Sequence, residues 1–458
     1  MFRTGIMNRT NFFDITSQKI LYFLLIFLTV FELINGYFSF HYNLTLIGFF
    51  YKSLIVFLSI LLIAFHKWKF ETGIIILCGY SLFLLLSGLR LCRSDVAIEA
   101  IVFDFQYTSR SLLILISIFI FAVSLNKNEL MIFFRKFIWV QWIIITSAIL
   151  IHVIFGFGGV YTKIGEYLKP GYPSYFYAGN SIAILYDACW LAIMFMVKNN
   201  LVRVLITLIT LFIVTAFGSK LGIFLIFFIL SLNLFIRLFQ KSKALFVLTF
   251  IFISSSFFLI ALNIENIIWW FLNYYKIFSK QGIRMVEVAI EYGLISALWS
   301  RRDFLISLAI DKIANYNLKD LFLGANYFNY RRLLGYDIGR EFRNAEVDPI
   351  DLVGSTGILG FILAYGILFI FILMLLKMLL KMLLKNRQNI KIQLQNNYNI
   401  NYVLLCSGIL LMLLVSSVAS GHVFTEPYSN ILLGLVYGLI YKLCNNSERG
   451  TKGCLLKI

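Results

Sequence analysis

The sequence predicts an all-α integral membrane protein with about twelve transmembrane helices and one large helical loop on the outer side. Of the 458 residues, 60% are hydrophobic and only 14% are charged, with a mean hydropathy of +0.87. Soluble domains hold roughly a quarter charged residues. The apolar residues also come in blocks of about twenty, the length that crosses a hydrocarbon core of roughly 30 Å. Composition and block length together predict a polytopic protein.

Twelve apolar blocks are predicted to be membrane spans. They lie near residues 20–40, 44–65, 74–91, 108–125, 134–155, 179–197, 201–217, 220–239, 244–265, 352–376, 402–420 and 427–443. This pattern divides the chain into three parts. Residues 1–265 hold the first nine spans, residues 266–351 form the large loop, and residues 352–458 hold the last three spans and a tail.

The distribution of basic residues predicts the sidedness of the spans. An even number of spans places both termini on one side, and a Lys/Arg excess identifies that side as cytoplasmic. The tails and loops on this side carry 22 Lys and Arg residues against four Asp and Glu residues. Their net charge of +18 equals that of the whole chain. The basic balance is therefore typical of membrane topology, and we predict no nucleic-acid partner.

The loop at residues 266–351 is the candidate region for chemistry. It carries 11 basic and 10 acidic residues, and ordered connections of this length usually have a function. The spacing of Val286, Ile290 and Leu294 predicts a short amphipathic helix on the outer surface. The six Cys and four His residues are scattered without a CxxC pattern. We therefore predict neither a disulfide framework nor a metal site.

Three ionisable residues fall within predicted spans, where charge is costly and often functional. Glu32 and Lys52 both lie toward the outer ends of their spans, so a mutual ion pair is the simplest interpretation. Asp187 lies about two turns into the sixth span. It could line a cavity or bond a neighbouring helix.

The predicted outer side also carries cations suited to an anionic ligand. Lys220, in "FGSKLG", follows a serine at a helix start, where free N–H groups and a cation favour an anionic oxygen. Arg301 and Arg302, and likewise Arg331 and Arg332, are adjacent pairs whose planar groups can hold a diphosphate. The alternatives are a lysine that reaches lipid phosphate and arginines that serve as solvated helix charges.

The stretch "EVDPIDLVGSTGILG", Glu346 to Gly360, leads into the tenth span. Asp348 fits an N-cap, Pro349 the first helical position and Asp351 the third, all favourable at the start of a helix. Helix capping does not account for Glu346. A carboxylate at the membrane surface can accept the proton of an attacking sugar hydroxyl. We predict Glu346 as this base, with Asp348 as the second candidate.

The order of these motifs resembles the O-antigen polymerase and ligase superfamily of bacterial cell envelopes. The motifs are "KPGYPSYFYAGNS", "FGSKLG", "SRRDFLISLA", "LFLGANYF" and "EVDPIDLVGSTGILG", and they cover most of residues 160–376. The resemblance implies a glycosyltransferase of the bacterial inner membrane that acts on undecaprenyl-diphosphate-linked oligosaccharides. It implies a periplasmic loop, no metal, no nucleotide sugar or other cofactor, contact with membrane lipids and a chain-length regulator protein as partner.

One departure from the family pattern favours the polymerase branch. The ligase branch usually carries a His, followed by Asn, Ser or Gln, ahead of the Gly-x-x-Gly of the post-loop span. Here Glu346 and Val347 stand at that place, before Gly357 and Gly360. A ligase is the alternative enzyme. A lipid-linked oligosaccharide flippase is the non-enzyme alternative, but it usually shows two related halves and lacks a folded loop of this size.

The resemblance also implies roles for the candidate residues. The leaving diphosphate is expected to meet the cations, and the acceptor hydroxyl to meet the acidic residues. The expected diphosphate-binding residues are Lys220, Arg301, Arg302 and Arg331, and the expected catalytic residues are Glu346 and Asp348.

Overall fold

The computed structural model describes about two thirds of the chain. The described residues are 15–42, 46–65, 98–108, 113–158, 174–176, 179–219, 222–227, 229–231, 280–293, 296, 299, 301–337, 342–385, 393–419, 421, 423–424 and 426–446. Every regular element in these ranges is a helix and none is a strand. The predicted all-α class is confirmed for this part of the chain.

The helices follow the chain in two groups separated by the outer layer. The first group is α1 (Ile15–Ile26), α2 (Leu28–Tyr42), α3 (Leu46–Phe65), α4 (Ile98–Thr108), α5 (Ile114–Ser124), α6 (Lys127–Phe155), α7 (Gly179–Met196), α8 (Asn200–Phe217) and α9 (Gly222–Ser231). The outer layer is α10 (Lys280–Tyr292), α11 (Arg302–Ala314), α12 (Leu318–Leu323) and α13 (Tyr327–Tyr336), and the last group is α14 (Asp348–Lys385), α15 (Gln393–Ala419) and α16 (Pro427–Asn446).

Several of these helices are suited to a membrane. Four are long and apolar enough to cross one, and up to five if α1 and α2, bent by 61°, form one span. The described helices coincide with most of the predicted spans. The predicted spans near 74–91 and 244–265, and most of 220–239, lie outside the described residues. The architecture is that of a helical membrane protein, while the number of twelve spans and their sidedness stay predictions.

The last helix, α16, lies at the centre of the bundle. A Cβ atom on Gly434 would lie 2.8 Å from the Cβ of Ile118, and one on Gly438 would lie 2.3 Å from the Cβ of Ala122. Small residues four apart allow two helix backbones to approach closely. On another face of α16 the Tyr437 ring stacks on Phe371, with centroids 4.0 Å apart. Close backbone contact with α5 thus depends on two glycines.

We expect Gly438→Ala to destabilise the protein, although alanine favours helix over glycine by about 1 kcal/mol. The new methyl group would overlap Ala122, and overpacking of this kind costs about 1–3 kcal/mol. Gly366→Ala is the matched control, because a Cβ at Gly366 in α14 meets no atom within 4 Å. Thermal unfolding in detergent should show a lower midpoint for Gly438→Ala only. Equal midpoints for the two variants would contradict the close packing of α16 on α5.

The predicted ion pair within the bundle is confirmed. Lys52 Nζ lies 2.8 Å from Glu32 Oε1, and the Glu32 side chain is only 5% exposed. The pair joins α2 to α3. Two charges predicted inside spans are thus explained by structure, and they do not point to a ligand.

Three helices of the outer layer, α11, α12 and α13, pack on the first turns of α14. Their small core consists of Ala309, Ala325, Tyr330, Leu334 and Ala345. This part of the predicted loop is helical, as predicted, while residues 266–279 lie outside the described residues. The predicted amphipathic helix is α10, in which Val286 is buried and Ile290 is 72% exposed, while Leu294 lies outside the described residues.

Two glycine motifs join the outer layer to α14. Gly357 has a φ of +70° and interrupts the helical geometry of α14. A Cβ on Gly357 would lie 2.2 Å from the Phe322 carbonyl oxygen, and one on Gly324 would lie 2.2 Å from that of Ser355. The Ala325 N–H donates to the Gly354 carbonyl at 2.8 Å. "LFLGAN" and "VGSTG" therefore meet backbone to backbone, which fixes the outer layer on α14.

Candidate functional site

Glu346 is bound by two arginines. Its Oε2 lies 3.0 Å from Nη2 of Arg302, and its Oε1 lies 2.8 Å from Nη2 of Arg343. The carboxylate is partly shielded, since its side chain is 20% exposed and that of Arg302 is 12% exposed. Charge-assisted hydrogen bonds of this kind are roughly twice as strong as neutral ones. The predicted base is therefore also the centre of an ion-pair cluster.

The backbone at this cluster is in an unfavourable conformation. Glu346 has a φ of +61° and Arg301 a φ of +63°, two of the four non-glycine residues with positive φ in the described ranges. Such a conformation costs a non-glycine residue roughly 1–2 kcal/mol and is common at functional sites. Gly421 lies against this point, because a Cβ there would be 2.7 Å from the carbonyl carbon of Glu346. Two of the predicted site residues are thus the strained ones.

The cluster rests on the end of α15. The Trp299 indole N–H donates to the Ala419 carbonyl oxygen at 2.7 Å, and Nη1 of Arg302 donates to the same oxygen at 3.5 Å. The last carbonyls of a helix have no partner within the helix. Arg302 therefore lies between the C-terminus of α15 and Glu346. The partial negative charge of the helix end and the carboxylate both attract its guanidinium group.

Aromatic rings hold Arg301, the residue before Arg302. Its guanidinium carbon lies 3.8 Å from the ring centre of Tyr292 and 5.4 Å from that of Phe304. Stacking on rings positions an arginine without neutralising its charge. Arg301 is thus oriented by Tyr292 and Phe304 while its positive charge persists.

Arg331 contacts the same short segment that carries Arg343. Nη2 of Arg331 donates to Oδ1 of Asn344 at 3.0 Å, and the Arg331 carbonyl accepts the N–H of Arg343 at 2.9 Å. Its guanidinium lies 4.6 Å from the ring centre of Tyr107. The structure therefore places Arg302 and Arg331 against the segment that leads into α14, and Arg301 precedes Arg302 in the chain.

Three donors in this group have no acceptor. The Nε atoms of Arg301, Arg302 and Arg331 are buried and have no hydrogen-bond partner in the part of the chain that the structure describes. A buried donor without an acceptor costs about 1–3 kcal/mol. An anion that accepts hydrogen bonds from these arginines would relieve this cost. We call Arg301, Arg302, Arg331, Arg343 and Glu346 the arginine cluster.

Asp348 and Asp351 begin α14, as predicted, and their carboxylates also bind other segments. Asp348 is 1% exposed, and its Oδ2 accepts the N–H groups of Val423 at 2.8 Å and Phe424 at 3.2 Å. Oδ1 of Asp351 accepts the Tyr330 hydroxyl and the Ala345 N–H, both at 2.8 Å. Both carboxylates therefore join segments far apart in sequence, which is a structural role.

Tyr330 stays a hydrogen-bond donor in this arrangement. Burial raises the pKa of its hydroxyl well above the usual value, and the nearby Asp351 carboxylate raises it further. A neutral phenol is the form that donates to a carboxylate. The Tyr330–Asp351 bond therefore stabilises the contact between α13 and α14.

The predicted residues do not all come together. Lys220 lies outside the described residues, so its place in the site stays a prediction. Its neighbour Ser219 accepts the Gly222 N–H at 3.1 Å through its hydroxyl, as predicted for a helix start. Asp187 faces this turn, since a Cβ on Gly222 would lie 2.9 Å from its Oδ2. Arg332 lines a different cleft.

Sequence analysis missed several contributors to the cluster. Arg343 stands three residues before Glu346, a spacing at which opposite charges often pair, so the signal was present. The contact between Trp299 and the Ala419 carbonyl has no sequence signal, because the two residues lie 120 residues apart in the chain. Among the described residues, no group of three or more His, Cys, Asp or Glu side chains is placed to bind a metal ion.

Comparison of the chain with protein-family models and with curated proteins gives no match. The functional conclusion therefore depends on the chemistry of the arginine cluster and on the membrane-embedded fold around it.

Proposed function

We propose that this protein is a polysaccharide polymerase of the O-antigen type. It transfers a growing glycan from an undecaprenyl-diphosphate carrier to a lipid-linked repeat unit at the outer face of the inner membrane. The observation that carries the proposal is the arginine cluster. Arg302 and Arg343 pair with the Glu346 carboxylate, and the buried Nε atoms of Arg301, Arg302 and Arg331 have no acceptor among the described residues. A diphosphate is an anion that such donors bind, and a hydroxyl proton is what the carboxylate accepts.

The proposed reaction is a displacement at the anomeric carbon of the donor. A hydroxyl of the acceptor sugar attacks this carbon, and the bond between the carbon and the diphosphate oxygen breaks. The bonding electrons leave with the diphosphate, whose negative charge Arg301, Arg302 and Arg331 stabilise. The hydroxyl proton passes to Glu346. Donors placed where charge develops typically contribute 10²–10³-fold in rate each.

The ion pairs of Glu346 suggest how proton transfer and donor binding are linked. Two guanidinium groups hold the two carboxylate oxygens in ion pairs. When Arg302 turns toward an incoming diphosphate, its bond to Glu346 breaks and Oε2 can accept the hydroxyl proton. Under this proposal, binding of the glycan donor frees the carboxylate that takes the acceptor's proton.

Glycan length separates this proposal from its alternatives. Deletion of a polymerase leaves surface glycan of a single repeat unit, whereas deletion of a flippase leaves almost none. Deletion of a ligase leaves long chains on the lipid carrier that never reach their final acceptor. Gel analysis of surface and carrier-linked glycan in a deletion strain tests all three, and either of the last two outcomes would overturn the proposal.

We expect Arg301→Gln to reduce chain elongation by about 10²-fold, because one donor to the leaving diphosphate is lost. Lys319→Gln is the matched control, since Lys319 is an exposed cation of the same outer layer. Elongation can be followed with purified protein and lipid-linked repeat units. A loss of activity in the control equal to that in Arg301→Gln would show that overall charge, not the cluster, is responsible.

A further inference from the structure

A second cleft lies in the outer layer, separate from the arginine cluster. It has a volume of about 560 Å³, within the range of roughly 300–1,000 Å³ that is typical of ligand sites. One wall is the exposed face of α13. The other is formed by the end of α11, the turn that follows it and the start of α12.

One face of α13 is buried in the protein and the other lines the cleft. Tyr327, Tyr330 and Leu334 are buried toward α14. Asn329, Arg332, Leu333 and Tyr336 follow the spacing of one helix face, and all four line the cleft. Leu333 is 43% and Tyr336 84% exposed. A large aromatic side chain on the outer face is therefore available to a ligand.

The opposite wall is polar and its shape is fixed by short contacts. Asn317 caps α12 by accepting the Asp320 N–H at 2.9 Å. The Tyr316 hydroxyl donates to the Gly354 carbonyl at 3.1 Å, and the Asn315 side chain donates to the Asp311 carbonyl at 2.8 Å. These contacts attach the turn to α11 and α14. The wall is thus preformed, which lowers the entropic cost of binding.

The charge of the cleft argues against an anionic ligand. Its ionisable residues are two cations, Lys312 and Arg332, and two carboxylates, Asp320 and Asp337. Lys312 and Asp337 form an ion pair of 2.7 Å. Formal charges therefore cancel, in contrast to the arginine cluster.

We infer that this cleft binds a neutral oligosaccharide. Sugars present hydroxyl groups, which pair with amide, carboxylate and guanidinium groups, and apolar faces of C–H groups, which pack on aromatic rings. The cleft supplies three Asn residues and two Tyr residues, whereas its apolar lining is limited to Leu333 and Ala325. A lipid tail or an apolar peptide segment would find little to pack against. The role of the cleft in elongation, holding glycan away from the reacting end, rests on the proposed function; binding itself does not.

The test is binding of free sugars to the purified full chain in lipid nanodiscs. Probes are neutral hexose and N-acetylhexosamine oligosaccharides and the surface glycan, released by mild acid, of the organism that carries the gene. Saturation-transfer NMR should detect binding of at least one probe. Tyr336→Ala with Asn329→Ala should lower its affinity at least about tenfold, because stacking and a hydrogen bond are both lost. Leu318→Ala, a 76% exposed residue outside the cleft, should leave affinity unchanged.

The outcomes separate this inference from the proposed function. Glu346→Gln should bind the probe as the unaltered protein does, whatever its activity. Binding that survives the double substitution, or no binding by any probe, overturns the glycan cleft and leaves the polymerase proposal standing. Equal binding of inorganic diphosphate, abolished by the double substitution, would also overturn it. The opposite split is also possible. If the deletion strain has almost no surface glycan, as for a flippase, the polymerase proposal is overturned. If the protein still binds glycan and the double substitution removes that binding, the inference about the cleft stands.

Discussion

Replacing Glu346 with glutamine is expected to stop chain elongation while the protein still inserts and folds. Loss of a general base typically reduces rate by about 10²–10⁴-fold. The substitution also removes the charge that pairs with Arg302 and Arg343. Elongation should be measured with purified protein and lipid-linked repeat units, with glycan length on the cell surface as the second readout. Full elongation by Glu346→Gln would exclude Glu346 as the base.

A glycine at the same position provides the matched control for folding. Because Glu346 has a φ of +61°, Glu346→Gly removes the side chain and relieves the backbone strain at once. Glycine adopts this conformation without the cost of roughly 1–2 kcal/mol. We therefore expect the glycine variant to be inactive yet to unfold no earlier than Glu346→Gln. Early unfolding of both would show that the ion pairs are needed for the fold rather than for chemistry.

The pH dependence of the rate distinguishes a base from a positioning residue. If Glu346 takes the proton, the rate of the unaltered protein falls at low pH, where the carboxyl is protonated, and Glu346→Gln lacks this decline. If Glu346 only orients Arg302 and Arg343, the decline persists in the variant. A low-pH decline of equal size in both proteins would assign the proton transfer to another group.

Replacing Asp348 with alanine is expected to produce the largest loss of stability at this end of the molecule. The buried N–H groups of Val423 and Phe424 would lose the carboxylate that accepts them. Each buried donor left without a partner costs about 1–3 kcal/mol, so the two together are expected to cost roughly 2–6 kcal/mol. Thermal unfolding in detergent should show a clearly lower midpoint. The exposed Asp311 serves as control, because surface substitutions usually change stability by less than about 0.5 kcal/mol.

The same experiment decides between the two candidate carboxylates. An Asp348→Ala variant that unfolds early and retains some elongation fits a structural role. A variant of normal stability without elongation would make Asp348 the base and contradict our assignment of Glu346. The geometry favours the first outcome, because Oδ2 of Asp348 already accepts two backbone N–H groups.

The sequence predicts the helices well because apolar block length is a local property. The Glu32–Lys52 pair and the close packing at Gly357 were also predictable, since buried charges need partners and glycines permit close approach. Ile290 lies on the predicted apolar face of α10 and is exposed, because periodicity gives a face but not what covers it. The contacts from Ala419 and Gly421 to the cluster were not predictable. They depend on how helices far apart in the sequence pack together.

These contacts have a consequence for the order in which the protein is made. Arg302 and Trp299 bind the carbonyl of Ala419, Gly421 lies against Glu346, and Asp348 binds the N–H groups of Val423 and Phe424. Ala419 leaves the ribosome 73 residues after Glu346, a delay of several seconds at about 5–20 residues per second. A nascent chain that lacks them carries the arginines but not the surface that orders them. The arginine cluster is thus ordered only after these residues are made, and under the proposed function a chain that stops before them would not use lipid-linked sugar.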